Sequence, residues 1–153
     1  MSIEQETEVM RRIPIFRKID VALLKLLCFS SERLTFQQDQ MIFGAGEPGD
    51  AAYVIIEGHV EVTVPTASGP LVINSLGPND ILGEIAIFAE VPRTATVTAT
   101  TRVETLRIAK EQFTGIIRQS PEAALELIRI LASRLARTTA RLSSAASRST
   151  GDG

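Results

Sequence analysis

The sequence predicts an α+β protein in which a β-sandwich or jelly roll (double-stranded β-helix) is flanked by helices. Three observations lead there. From Leu34 to about Ile108 the chain falls into short β-type runs parted by Gly, Pro, Asn and Asp, and many short strands with that punctuation fold into packed antiparallel sheets. Strict alternation at Val60-Glu61-Val62-Thr63-Val64 and the Thr-rich run from Thr94 to Thr98 mark half-buried strands. On both sides of this region the apolar period becomes helical.

Taken in order, residues 3–12 have helical character, and Asp20 reads as the N-cap of an apolar-rich helix over 21–29. Helices within 1–33, the sandwich over 34–110 and C-terminal helices over 111–142 make one domain, and a chain of 153 residues is long enough to bury its own core. After Lys110 one helix is read around Phe113 to Ile117. Another begins at Pro121, a residue suited to a first helical turn, with Ser120 as its cap and Glu122 near its positive end. It runs to about Leu142. Along it Leu125, Ile128, Ala132, Leu135, Thr139 and Leu142 recur at alternating spacings of three and four, a heptad seam that predicts a homodimer through this helix. Leu127, Ile130 and Leu131 widen the apolar face, so the same helix can also pack on its own sandwich. The stretch from Ser143 to Gly153 reads as a disordered tail.

Several classes of function are disfavoured. With 16 basic and 18 acidic residues the net charge is -2, so no global basic field advertises nucleic acid or an anionic membrane. No apolar run approaches the roughly 20 residues of a membrane span. The lone Cys28 cannot form an internal disulfide and reads as a small core residue. Glu4, Glu6 and Glu8 are the opposite of a secretory leader, so a cytoplasmic location is expected. His59 is the only histidine. Alone it can assemble neither a metal cluster nor a Ser-His-Asp or Cys-His nucleophile, so no metal, no cofactor, no catalytic residue and no enzyme activity are expected. His59 itself reads as an exposed strand residue. Gly44-Ala45-Gly46-Glu47-Pro48-Gly49 fits the dinucleotide pattern GxGxxG, but a turn into an apolar β run follows it rather than a helix. Arg129, Arg134, Arg137 and Arg141 crowd the last helix and read chiefly as a solvated face.

The segment from Leu82 to Val97 carries the chemistry. Gly83 lets backbone approach a ligand closely, and the residues after it read as a single helical turn whose free amides attract an anion. Arg93 supplies a planar, permanently charged fork for phosphate oxygens. Glu84 repels phosphate and accepts hydrogen bonds, so its natural target in the same pocket is a sugar hydroxyl.

Gly83-Glu84 followed by Arg93-Thr94-Ala95 resembles the phosphate-binding cassette of the cyclic nucleotide-binding domain family, which includes catabolite activator-like and protein kinase A regulatory subunit-like sensor domains. The run from Gly46 to Val62 is similar to that family's strand-turn signature, and the resemblance extends from about Ile13 to Leu142. It implies a short cassette helix in the sandwich and a regulatory module that binds a cyclic nucleotide and signals by moving its C-terminal helix. It further implies that Arg93 pairs with the cyclic phosphate, Glu84 bonds the ribose 2′-hydroxyl, and the amides around Ile85 and Ala86 complete the cradle. Removing Arg93 is expected to abolish binding and leave the fold intact.

Base choice is read from two places. Thr94 stands where family members often contact guanine, which points toward cGMP. Arg134-Leu135-Ala136-Arg137-Thr138-Thr139 resembles the Arg-Leu-x-x-Thr-Ser of the catabolite activator branch, in which two hydroxyls recognise adenine, and Thr139 also falls on the heptad seam. The balance favours cAMP. With no Trp in the chain, Arg134 and Leu135 are the candidate covers for the base and Leu76 an apolar wall. Few residues follow the last helix, too few for a DNA-reading element, so a free-standing sensor with an unidentified downstream protein partner is expected. The alternatives are a nucleotide-independent interaction or dimerisation module, and the sensory fragment of a transcription regulator.

Overall fold

The structure, a computed structural model, describes the backbone of residues 2–151 and the side chains of residues 2–144. Helix α1 (Ile3–Arg11) opens with a reciprocal cap, in which the Gln5 amide donates to Ser2 Oγ at 3.2 Å and the Ser2 amide donates to Gln5 Oε1 at 2.9 Å. A 3-10 turn (Pro14–Phe16) leads to α2 (Val21–Ser30). Asp20 does occupy the N-cap of α2, but its side chain makes no capping bond; its carbonyl accepts from Leu24 N instead.

Eight strands follow: β1 (Glu32–Phe36), β2 (Met41–Phe43), β3 (Ala51–Glu57), β4 (Val60–Thr66), β5 (Gly69–Leu76), β6 (Ile81–Leu82), β7 (Thr96–Ala99) and β8 (Val103–Ala109). They pair antiparallel into two four-stranded sheets, ordered β1-β8-β3-β6 and β2-β7-β4-β5. The short helix α3 (Glu84–Ala89) interrupts them, and α4 (Lys110–Gln119) and α5 (Pro121–Gly151) close the chain.

Strand β3 explains how two cores share one sheet. Ala51 to Ile55 are all buried, which a strand achieves only when both of its faces are covered. Ala51, Tyr53 and Ile55 face Phe43, Val60, Leu82 and Val97 between the sheets. Ala52 and Val54 face a second cluster in which Met10, Phe16, Leu24, Leu27 and Cys28 from the first helices meet Phe113, Ile116, Ala123 and Leu127 from the last. Cys28 is thus a core residue, and burial pushes its thiol pKa up. His59 is exposed beside the β3-β4 turn.

The Ser120 hydroxyl accepts from the Ala123 amide at 3.1 Å and caps α5 as expected, with Pro121 as its first residue. Helix α5 then continues past Leu142 to Gly151, so the helix is longer than the sequence suggests, and the side chains of the expected tail beyond Ser144 lie outside the described residues. The helix docks on β5, α4 and the 3-10 turn. It turns Ala123 and Leu127 inward, while Leu125, Ile128, Leu135 and Leu142 of the heptad seam are exposed. Among the described residues no helix is long and apolar enough to cross a membrane.

Candidate functional site

A cavity of about 480 Å³ opens between the β2-β7-β4-β5 sheet, α3 and α5, within the usual range for small-molecule sites. Its walls are mostly apolar, from Phe43, Val62, Leu76, Leu82, Val97 and Leu131. Gly83, Glu84, Ile85, Ala86, Arg93, Thr94 and Ala95 surround one end, and Arg134, Leu135 and Thr138 of α5 cover it. Of the sequence-nominated site residues only Thr139 is absent from this wall; its side chain is exposed.

Gly83 is the pivot of the cassette. Its φ of 87° is left-handed, and a Cβ there would lie 2.6 Å from Arg93 Nη1 and 3.0 Å from the Ala51 carbonyl. Only glycine suits both conditions. Gly49 allows the other close approach, since a Cβ there would collide with the Cβ of Ala86. The strand-turn signature therefore acts on the cassette at a distance in sequence: the Arg93 amide donates to the Glu47 carbonyl and the Gly46 amide donates to the Arg93 carbonyl, both at 2.8 Å.

Arg93 is 4% exposed. Its Nη1 donates to the Gly83 carbonyl and its Nη2 to the Ala51 carbonyl, each at 2.7 Å, and the guanidinium carbon lies 4.1 Å over the Phe43 ring. Among the described residues its ion-pair partner is the exposed Asp50, whose Oδ1 stands 3.9 Å from Nη2. Burial pulls the guanidinium pKa below its ordinary value, opposed by Tyr53, Asp50 and Glu84. Arg93 Nε is buried without a hydrogen-bond partner. An arginine so fixed by backbone carbonyls, with a donor in reserve, is preorganised to receive an anion.

Glu84, 2% exposed, accepts from Arg134 Nη1 at 2.8 Å through Oε1, and its Oε2 has no partner. Burial pushes the Glu84 carboxyl pKa up, and Arg134 is the strongest influence in the other direction. This pair joins the first turn of α3 to the middle of α5. The site thus holds one fixed cation and one carboxylate with a spare acceptor, a combination that matches a phosphate next to a hydroxyl.

Residues 33–120 match the family model of the cyclic nucleotide-binding domain. The chain belongs to the cyclic nucleotide-binding domain family. One relative, a CRP-like cAMP-activated global transcriptional regulator of Mycobacterium tuberculosis (strain ATCC 25618 / H37Rv), is 32% identical over 136 residues, covering 88% of this chain and 61% of that protein. The chain therefore spans about three fifths of that curated relative. The N-terminal domain of a transcriptional regulator from Streptomyces coelicolor A3(2) superposes with a TM-score of 0.65 at 34% identity, over 85% of this chain and 94% of that one. The sensor domain of the transcriptional regulator DNR from Pseudomonas aeruginosa shares the fold, with a TM-score of 0.77 at 21% identity over 87% and 90% of the two chains.

Against the family's cassette pattern, sequence reasoning missed one polar wall residue, Asn74. It is 6% exposed; its Nδ2 donates to Thr138 Oγ1 at 3.2 Å, and its Oδ1 has no partner. A signal was present, because Asn74 stands two residues before the buried Leu76 on β5, where strand alternation puts it on the inward face.

Proposed function

We propose that this protein is a cyclic-nucleotide sensor that takes cAMP in preference to cGMP and relays occupancy through α5. The observation that carries the reading is the pairing of buried Arg93 and Glu84 on one cavity wall, each with an unpartnered polar atom, with Glu84 tied to Arg134 of α5. Arg93 Nε and the amides of Ile85 and Ala86 receive the cyclic phosphate, and Glu84 Oε2 accepts from the ribose 2′-hydroxyl. Val62, Leu76 and Leu135 enclose the base. Family membership and the cAMP-activated relative support this assignment.

Relay follows from the ion pair. A ligand that engages Glu84 acts directly on the carboxylate that holds α5 against the cassette, so occupancy biases the position of α5 by the ligand's differential affinity for its arrangements. We place the homodimer on the exposed stripe of Leu125, Ile128 and Leu142, which continues through Leu135 at the cavity edge. Thr139 lies on that stripe's side, so it reaches a base only in the second subunit's cavity. Ile128 and Leu142 are 62% and 45% exposed. The double variant Ile128→Glu, Leu142→Glu is expected to sediment as a folded monomer, whereas a dimer surviving both changes would place the interface elsewhere.

Isothermal titration of nucleotide-free protein with cAMP and, separately, cGMP tests the main reading. One site per chain with cAMP the tighter ligand is expected. Absence of heat with both, from folded protein, would leave the α5 stripe as the functional surface of a nucleotide-independent module.

A further inference from the structure

We propose that Asn74 reads the base, its carboxamide oxygen accepting a hydrogen bond from the exocyclic amino group of adenine. This rests on the cyclic-nucleotide reading of the cavity. Asn74 is a buried polar side chain on an otherwise apolar strand face. Burying a polar oxygen without a partner is costly, yet Oδ1 has none while the cavity lies beside it.

Local backbone geometry puts the side chain there. Val62 pairs with Asn74 and Thr63 with Val72, so Ile73 is an extra residue in the β4-β5 ladder. Such a bulge re-aims the side chains that follow it. Burial along β5 accordingly changes phase at Asn74, which joins Leu76 on the inner face.

In this structure Thr138 Oγ1 receives Nδ2 at 3.2 Å. Nδ2 is thereby occupied and Oδ1 is left for a ligand donor. Apart from Glu84, Arg93 and Arg134 at the opposite end and exposed Thr94, Asn74 and Thr138 are the polar side chains on the described cavity wall. Position follows from the helix: Thr138 is one turn beyond Arg134, about 6 Å along α5. A purine whose ribose is held at Glu84 therefore extends along Leu76 and Leu135 with its far edge at Asn74. Adenine meets Oδ1 with an N–H donor, whereas guanine in the same pose brings a second carbonyl oxygen against it.

The test compares cAMP with the cyclic nucleotide built on unsubstituted purine, which lacks the exocyclic amine, in titrations of the full chain. The parent protein is expected to bind the unsubstituted purine about tenfold more weakly, the worth of one buried hydrogen bond. In Asn74→Ala the two ligands should bind equally, with affinity for the unsubstituted purine close to that of the parent. Asn74→Leu, of similar size and without the carboxamide, gives the same readout if the alanine variant folds poorly. Equal affinities in the parent overturn the proposal, and so does a tenfold preference that persists in both variants. If the parent binds neither nucleotide, the cyclic-nucleotide reading fails and this assignment falls with it.

Discussion

Arg93→Ala is expected to weaken cyclic-nucleotide binding by at least about 30-fold, from a loss of roughly 2–5 kcal/mol when a buried charge pair is broken. The structure adds a second effect that the sequence does not foresee. Arg93 is a strut as well as the proposed phosphate partner, since it donates to the carbonyls of Gly83 and Ala51 and stacks on Phe43. Removing it strands two carbonyls at the joint between α3 and β3. The ligand-free variant should lose about 2–4 kcal/mol of stability and unfold on the order of 10 °C lower. The expectation of an untouched fold is therefore replaced by a coupled loss. Arg93→Lys separates the two effects: an ammonium keeps the charge but has neither the planar fork nor the Nε donor, so it should fold better than the alanine variant and still bind weakly. Titration and thermal unfolding of both variants check this, and parental affinity in either folded variant removes Arg93 from the site.

How much of this was legible in the sequence depends on the range of each interaction. The cassette was legible because Gly83, Glu84 and Arg93 lie within one short segment whose residue types name their chemistry. The Ser120 cap and the return to helical period after Lys110 were legible for the same local reason. The helix ends were less so: the reciprocal cap of Ser2 with Gln5 passed unseen, and Asp20 sits at a cap without capping. Long-range pairings left no local trace. Alternation back from Leu76 turns Asn74 inward, but nothing within β5 announces the bulge opposite Val62 or the partner Thr138. Periodicity alone could not tell which stripe of α5 meets the sandwich: Ala123 and Leu127 do so, while Leu125, Ile128, Leu135 and Leu142 of the heptad seam are exposed.

The pair formed by Glu84 and Arg134 yields the other large effect. Arg134→Ala is expected to cost about 3 kcal/mol at neutral pH, because removing one partner of a buried ion pair leaves the other charge uncompensated. Glu84 is 2% exposed, and Arg134 is the leading influence holding down a carboxyl pKa that burial raises from 4.5. Without Arg134 the folded chain holds the Glu84 proton to still higher pH than the unfolded chain does. The folded state then binds more protons, so its stability is fully present below the unfolded pKa and falls as pH rises through the folded one. The deficit of the variant should therefore be small in acid, where Glu84 is protonated in both proteins, and grow as pH rises above the ordinary carboxyl range. Denaturant titrations across that range measure it. Adding Glu84→Gln to Arg134→Ala should restore much of the stability at pH 8, since a neutral amide needs no counter-charge, and this non-additivity identifies the pair as a unit. Hydrogen exchange reads the functional half: amides of α5 from Leu131 to Thr138 should exchange faster in Arg134→Ala, and added cAMP should protect them less than in the parent. Unchanged exchange together with a flat pH profile would mean that the ion pair neither holds α5 on the cassette nor carries the ligand's influence to it.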